Sequence, residues 1–438
     1  MNAMRFPRLL ITFGLLLIAQ IAAAGPRIDH WTAPSGARVF FVENHSLPIL
    51  DVQVDFAAGT AYDPVGKSGV AALSAALLDM GVAGMDETQI ANRLADLGAQ
   101  LSNGADIDRT SISLRTLSDD DKRVAALEVL RAVLSSPQFP DEVFAREKAR
   151  TVASLKESLT RPEVIAERAF WAALYPRHPY GRLASPESVQ ALKRADLIAF
   201  QRSHYTAARA SVTIVGDRSR AQAEALAQQL TAGLPAVSTA NPVTTALPTP
   251  QAPAKEELRI AHPAAQAHVL IGVPAVRRGD PDYFALLVGN YTLGGGGFVS
   301  RLMKEVREKR GYAYSVYSTF TPLAQSGPFE ISLQTKKSQA NDALKVTREV
   351  LAGFLAEAPS ASELQAAKQN LVGSFPLRLD SNRKILDNVA VIGFYGLPLD
   401  YLDRYAENVE AVTAAQISDA FARHVKPEKL VTVVVAGE

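Results

Sequence analysis

Few residues in this 438-residue chain are of types and spacings that could do chemistry. The seven histidines, His30, His45, His178, His204, His262, His268 and His424, contain no i, i+3 or i+4 pair, the spacing that puts two imidazoles on one helix face for a metal. There is no Cys, which removes disulfides, thiolate nucleophiles, iron–sulfur clusters and Cys-ligated zinc. No Ser/His/Asp order or paired-carboxylate constellation stands out. Gly294-Gly-Gly-Gly297 lacks the Lys-Ser or Lys-Thr of a phosphate loop and reads as a flexible turn. What remains is Glu305-Val-Arg307-Glu-Lys-Arg-Gly311-Tyr-Ala-Tyr314, in which an Arg fork and a Tyr hydroxyl could serve a peptide carbonyl and a developing oxyanion. Composition alone favours a plainer reading, a solvated helix end with Arg placed by the helix dipole, followed by sheet tyrosines.

These residues sit in a pattern that is written twice. Ile112-Ser-Leu-Arg-Thr116 returns as Ile331-Ser-Leu-Gln-Thr335, and Val212-Thr-Ile-Val215 as Val431-Thr-Val-Val434, both 219 positions later. The helical stretches between them run in parallel, 122–134 with 341–355 and 141–159 with a stretch beginning at 362. A Pro-rich segment, residues 235–254, cannot continue helix or sheet and reads as an extended surface linker between two similar domains, 25–234 and 255–438. Within a half, strands are expected at 38–43 and 50–57, and helices at 67–80 and at 86–97, ended by Gly98. The class is α+β: two homologous domains, each a mainly antiparallel sheet with helices on one side. In the second half, residues 282–293 and 300–310 read as helices, the latter ended by Gly311, with a strand over 312–318.

Residues 1–24 read as a cleaved signal peptide: Arg5 and Arg8, an apolar stretch over 9–21, then Ala22-Ala-Ala24 before Gly25. That apolar stretch is shorter than the roughly 20 residues of a membrane span, and no Cys follows to take a lipid. The mature chain is expected to be soluble, exported and periplasmic in a Gram-negative source, with no membrane association after cleavage. The 46 Lys plus Arg against 45 Asp plus Glu give a net charge of +1 and no footprint for nucleic acid.

Asp55-Phe-Ala-Ala-Gly59-Thr-Ala-Tyr62-Asp-Pro64, Ile90-Ala-Asn-Arg-Leu-Ala-Asp-Leu-Gly98, His178-Pro-Tyr-Gly181 and, above all, Gly294-Gly-Gly-Gly-Phe-Val-Ser-Arg-Leu302 with Glu305 to Ser315 resemble the pitrilysin/insulinase family of zinc peptidases. The resemblance spans the mature chain and implies that family's LuxS/mitochondrial-processing-peptidase-like fold. It also implies a zinc helix, H-x-x-E-H, whose two His bind the metal and whose Glu activates water. Here the ligand positions fall on Ala72 and Ala76 and the base on Ala75; a third ligand is expected seven residues after Glu147, where Ser154 stands, with Glu157 the nearest carboxylate. The chain is therefore expected to hold no metal of its own. Arg307 and Tyr314 match the Arg and Tyr with which the family holds substrate and stabilises the oxyanion from the later homologous half. Gly295 and Gly296 are candidate substrate contacts by analogy with a glycine-rich loop of the processing peptidases. The resemblance implies a catalytically incomplete subunit, inactive alone, that lends Arg307 and Tyr314 to a zinc-bearing homologous partner for the cleavage of unfolded peptides. Its alternative is a non-catalytic peptide-binding or structural scaffold of the same fold.

Overall fold

The computed structural model describes residues 25–235, 246–254 and 256–437; residues 1–24, expected from the sequence to be a signal peptide, and the centre of the linker lie outside them. The first half forms a six-stranded sheet from β1 (Asp29–Thr32), β2 (Arg38–Glu43), β3 (Ile49–Phe56), β6 (Gln100–Ala105), β7 (Thr110–Leu117) and β8 (Ala210–Gly216), in the order β1-β2-β8-β3-β7-β6. A two-stranded ribbon, β4 (Gly81–Val82) with β5 (Met85–Asp86), stands apart. The helices of this half are α1 (Val70–Ala76), α2 (Glu87–Asp96), α3 (Asp120–Ser135), α4 (Asp141–Ser158), α5 (Pro162–Leu174), α6 (Pro186–Ala191), α7 (Arg194–His204) and α8 (Arg220–Thr231).

The second half forms a five-stranded sheet from β9 (Glu256–Ala261), β10 (Gln266–Val276), β11 (Ala313–Phe320), β12 (Gly327–Lys336) and β13 (Val431–Ala436), in the order β11-β12-β10-β13-β9. Its helices are α9 (Tyr283–Asn290), α10 (Ala340–Ala356), α11 (Ala361–Ser374), α12 (Asn382–Tyr395), α13 (Tyr405–Ala411) and α14 (Ala414–His424). Read from the other edge, this order is that of the first sheet without β1: β2, β8, β3, β7 and β6 answer to β9, β13, β10, β12 and β11. Even the pairing sense repeats, since β2 with β8 and β9 with β13 are the parallel pairs and the rest are antiparallel.

Alternation along each strand supplies two apolar faces. Val52, Val54, Ile112, Val212 and Ile214 pack under the helices of the first half, and Val269, Ile271, Ile331 and Val316 under those of the second. The opposite faces are covered too, which the two-layer expectation lacks. Phe40, Val42 and Val215 are sealed by Ile385, Leu386, Val389 and Ile392 of α12, a helix of the second half. Leu270, Val431, Val433 and Val435 are sealed by Ala166, Phe170 and Leu174 of α5, a helix of the first. The halves exchange equivalent helices, and the fit is close: Gly393 faces the Phe40 ring and Gly272 lies under Phe170, positions where a Cβ would come within 2.5 and 2.7 Å of ring carbons. Burying a side chain such as Phe170 stabilises by about 1.5–3 kcal/mol, so each sheet draws part of its stability from the other half.

The β6–β7 turn also reaches across. Asp108, fully buried, accepts hydrogen bonds from Tyr180 Oη (2.7 Å), Tyr395 Oη (2.9 Å) and the Ala324 amide in the β11–β12 turn (2.8 Å). Residues 246–254 carry no regular structure and are mostly exposed, yet they are tied to the body of the protein. The Leu247 carbonyl accepts from Gln325 and the Pro248 carbonyl from His178 Nε2 at 2.8 Å, while Leu247 packs on the α5 cluster. No helix among the described residues is long and apolar enough to cross a membrane.

Candidate functional site

Two departures from regular geometry place Arg307. After α9 the chain forms a π-helical turn, Tyr291–Gly295, then a 3-10 turn, Gly297–Val299, then a second π-helical turn, Met303–Glu308. The expected single helices over 282–293 and 300–310 are thus each finished in wider turns, a geometry that concentrates at functional sites. The first is forced by packing: a Cβ on Gly294 would lie 2.4 Å from Ser318 Oγ and 2.5 Å from its amide nitrogen. The glycine run therefore brings the turn onto β11, and is not the flexible turn its composition suggests. Gly295 is exposed and Gly296 half-buried. Gly311, at φ 64°, closes the second turn with its amide on the Arg307 carbonyl.

Three other cations of this segment are spent, while Lys304 points into solvent without a partner among the described residues. Lys309 and Arg310 both pair with Glu305, whose carboxyl their hydrogen bonds hold below its ordinary range. Arg301 grips Glu363 with two bonds of 2.8 and 2.9 Å, which hold that carboxyl down at about 2. Arg307 is half-buried and has no acceptor among the described residues. Its guanidinium instead lies over two rings, 4.8 Å from the Phe298 centroid and 4.9 Å from that of Tyr314.

Tyr314 owes its position to the edge strand. The β11–β12 register slips between Ala313 and Ser315, so Tyr314 is the unpaired residue of a β-bulge and is 82% exposed. Bulges re-aim side chains in this way at sheet edges. The spacing of seven between Arg307 and Tyr314 is bridged by π-turn, glycine cap and bulge. The result is a cation held by aromatic faces with its N–H edges unspent, beside a phenol hydroxyl that has no partner among the described residues. Together they can bind a carbonyl oxygen and donate to an oxyanion.

The zinc-helix positions lie in the first half. The expected helix over 67–80 is only α1, because Asp63 stops it from starting earlier: its carboxylate accepts from the amides of Gly69 (2.6 Å) and Ala71 (2.8 Å). Burial pushes the Asp63 carboxyl up to about 6. Ala72 and Ala76, one turn apart, are exposed on one face; Ala75 is fully buried and its carbonyl accepts from Asn103 Nδ2. Ser154 is exposed on α4, and Glu147 is held by Arg146 at 2.8 Å. Methyl groups at 72, 75 and 76 and a hydroxyl at 154 offer no donor set for zinc, so these residues do not fit the metal.

One cluster escaped the sequence reading because its members are far apart in the chain. Asp280, Asp282 and His424 bring ligand-type atoms within 4.8 Å of one another. Their groups are engaged already: His424 Nδ1 meets the Ala275 carbonyl and Nε2 meets Asp282 at 2.9 Å, and Arg423 takes both oxygens of Asp282. The arrangement ties the end of α14 to the start of α9. Phe298 was also missed as a partner of Arg307; its place in the glycine-rich motif, directly after Gly297, was the available signal.

The family model described as "Peptidase M16 inactive domain" matches residues 191–371, and that described as "Insulinase (Peptidase family M16)" matches residues 38–186. An uncharacterized zinc protease of Mycobacterium leprae is 30% identical over 381 residues, covering 82% of this chain and 81% of its own. A protein of Helicobacter pylori named a non-peptidase homolog is 25% identical over 415 residues, covering 91% of this chain and 92% of its own. The crystal structure of a peptidase M16 inactive domain from Pseudomonas fluorescens superposes with a TM-score of 0.89 at 38% identity, over 94% of this chain and 98% of that one.

Proposed function

The chain belongs to the insulinase family, peptidase family M16, and we propose that within it this chain is the catalytically incomplete subunit of an exported, heterodimeric zinc metalloendopeptidase. The observation that carries the reading is Arg307: half-buried, unspent by any carboxylate, and stacked beside an exposed Tyr314. A solvated helix end would look like Lys309 and Arg310, paired with Glu305. The Ala72, Ala75 and Ala76 positions make the same point from the other side, as do the names of the Helicobacter relative and the Pseudomonas structure.

In this reading a zinc-bearing homologous partner faces this chain across a chamber and supplies the metal that polarises the peptide carbonyl and activates water. Arg307 holds backbone carbonyls of an unfolded peptide through its N–H edges. Tyr314 donates its hydroxyl to the oxygen on which charge develops, a contact worth more in the transition state than in the bound peptide. Gly295 lies on the solvent side of the turn beneath and is available to the peptide backbone; Gly296, half-buried, is less so.

The test is to tag the full chain in its source cell, export it, and recover what co-purifies. A partner of similar length with an intact H-x-x-E-H, and chelator-sensitive cleavage of an unstructured peptide by the pair only, is expected. Chelator-sensitive cleavage by this chain alone would sink the proposal.

A further inference from the structure

Phe298 and its neighbour Val299 are 61% and 52% exposed, on a turn that is firmly tied. Ser300, fully buried, donates its hydroxyl (2.7 Å) and its amide (3.0 Å) to the Gly297 carbonyl, and its hydroxyl accepts from the Met303 amide at 3.4 Å. The Phe298 ring is therefore held in water, not frayed into it, at the cost of leaving apolar surface uncovered. It is held over Arg307, whose guanidinium has the Phe298 ring on one contact and the Tyr314 ring on another. With ring faces against the guanidinium, polar contact is left to its N–H edges, and the outer surface of the Phe298 ring is left open beside them. A group that satisfies both at once is an extended peptide: a backbone carbonyl on Arg307 and a neighbouring side chain on Phe298. That side chain must be apolar. A Lys or Arg there would approach the Arg307 charge, and an acidic one would take the N–H edges from the carbonyl.

We propose that Phe298 is the specificity-determining residue of the Arg307 and Tyr314 site, receiving an apolar side chain of an extended peptide adjacent to the carbonyl that Arg307 holds. The inference rests on reading Arg307 and Tyr314 as a peptide-binding pair, and does not require the zinc-bearing partner. Because Phe298 is exposed, its replacement leaves the core intact, and an unchanged melting temperature checks this.

Binding is measured on the full mature chain by fluorescence anisotropy, with three fluorescein-labelled unstructured peptides of repeating Gly-Ser-X units in which X is Phe, Ser or Lys. The Phe peptide is expected to bind about tenfold tighter than the other two, a difference of the size a single ring contact and its area supply. Phe298→Ala should abolish that discrimination, Phe298→Tyr should keep it, and Arg307→Gln should weaken all three peptides together. Equal binding of the three by the wild type, no binding of any, or discrimination that survives in Phe298→Ala would overturn the proposal. Loss of a co-purifying partner in Phe298→Ala would overturn it as well, by making the ring a subunit contact. A chain that discriminates as expected but recovers no partner retires the heterodimer and leaves the role of Phe298 standing.

Discussion

The guanidinium of Arg307 lies 4.9 Å from the centre of the Tyr314 ring, although the two residues belong to a π-helical turn and to an edge strand beyond a glycine cap. The contact uses the ring and leaves the hydroxyl unspent, so the two halves of the Tyr314 side chain can be separated experimentally. Tyr314→Phe keeps the stack, so under the proposed pairing it should leave assembly with a zinc-bearing subunit unchanged, while turnover by that pair falls about 10²–10³-fold, the usual cost of one oxyanion donor. Tyr314→Leu should lose the stack as well and raise KM further. Steady-state kinetics alongside gel filtration distinguish the two; equal turnover by Tyr314→Phe and wild type would exclude the hydroxyl from chemistry.

Gly294 fixes where this site stands. Gly294→Ala drives a methyl group onto the Ser318 hydroxyl and onto its amide nitrogen, which is backbone that cannot give without moving β11. The expected outcome is a loss of about 1–3 kcal/mol by overpacking, read as a lower denaturant midpoint, together with weaker peptide binding. Gly311→Ala meets no atom within 4 Å but is strained at φ 64°, and should cost about 1 kcal/mol.

Restoring a metal helix is not a neutral exercise in this chain. Ala72→His and Ala76→His fall on exposed positions and should change stability by about 0.5 kcal/mol or less. Ala75→Glu places a carboxylate where the methyl is fully buried, beside an Asn103 amide already given to the Ala75 carbonyl and to Asp79. It should destabilise by about 2–4 kcal/mol, measurable by urea unfolding. Full tolerance of Ala75→Glu would mean that this face of α1 opens more readily than its packing indicates.

A pH dependence follows from Glu330. It lies on the β12 face covered by α5, with Glu163 and Glu167 on α5, His268 on β10 and Tyr317 on β11 around it, and it has no partner among the described residues. Burial first, and Glu167 second, push its carboxyl up to about 7 from an ordinary 4.5. A folded-state pKa above the unfolded one favours the protonated folded protein. The stabilising contribution is therefore complete below about pH 4.5 and is lost as pH rises through about 7. Glu330→Gln, which stays neutral, should melt higher than wild type at pH 8 and at the same temperature at pH 4. A constant difference across that range would exclude titration of this group as the cause.

How far the sequence carries can be judged at particular residues. The 219-residue offset, read from Ile112 to Thr116 and Ile331 to Thr335, falls on β7 and β12, which hold the same place in their sheets, because strand alternation and core composition survive duplication. The Arg307 and Tyr314 positions were legible only through a motif. Their contact was not, because a π-turn and a β-bulge are register events settled by tertiary packing at Gly294 and along β12. The exchange of α5 and α12 left no local trace either: an amphipathic stripe says that a helix is buried, not against which sheet.

That exchange makes the last prediction. Residues 25–234 expressed alone would lack α12 and expose Phe40, Val42 and Val215; residues 246–438 alone would lack α5 and expose Leu270, Val431, Val433 and Val435. Each would also strand one side of the Asp108 contact, whose partners Tyr180, Ala324 and Tyr395 come from both halves. Neither piece should fold by itself, and the two co-expressed should reassemble into a soluble complex with one cooperative melting transition. The single substitution Asp108→Asn should weaken the assembly of the pieces more than it weakens the intact chain, where covalent linkage keeps the halves at high effective concentration. Cooperative unfolding of either half alone, followed by circular dichroism, would mean that the exchanged helices are added to finished domains and do not complete them.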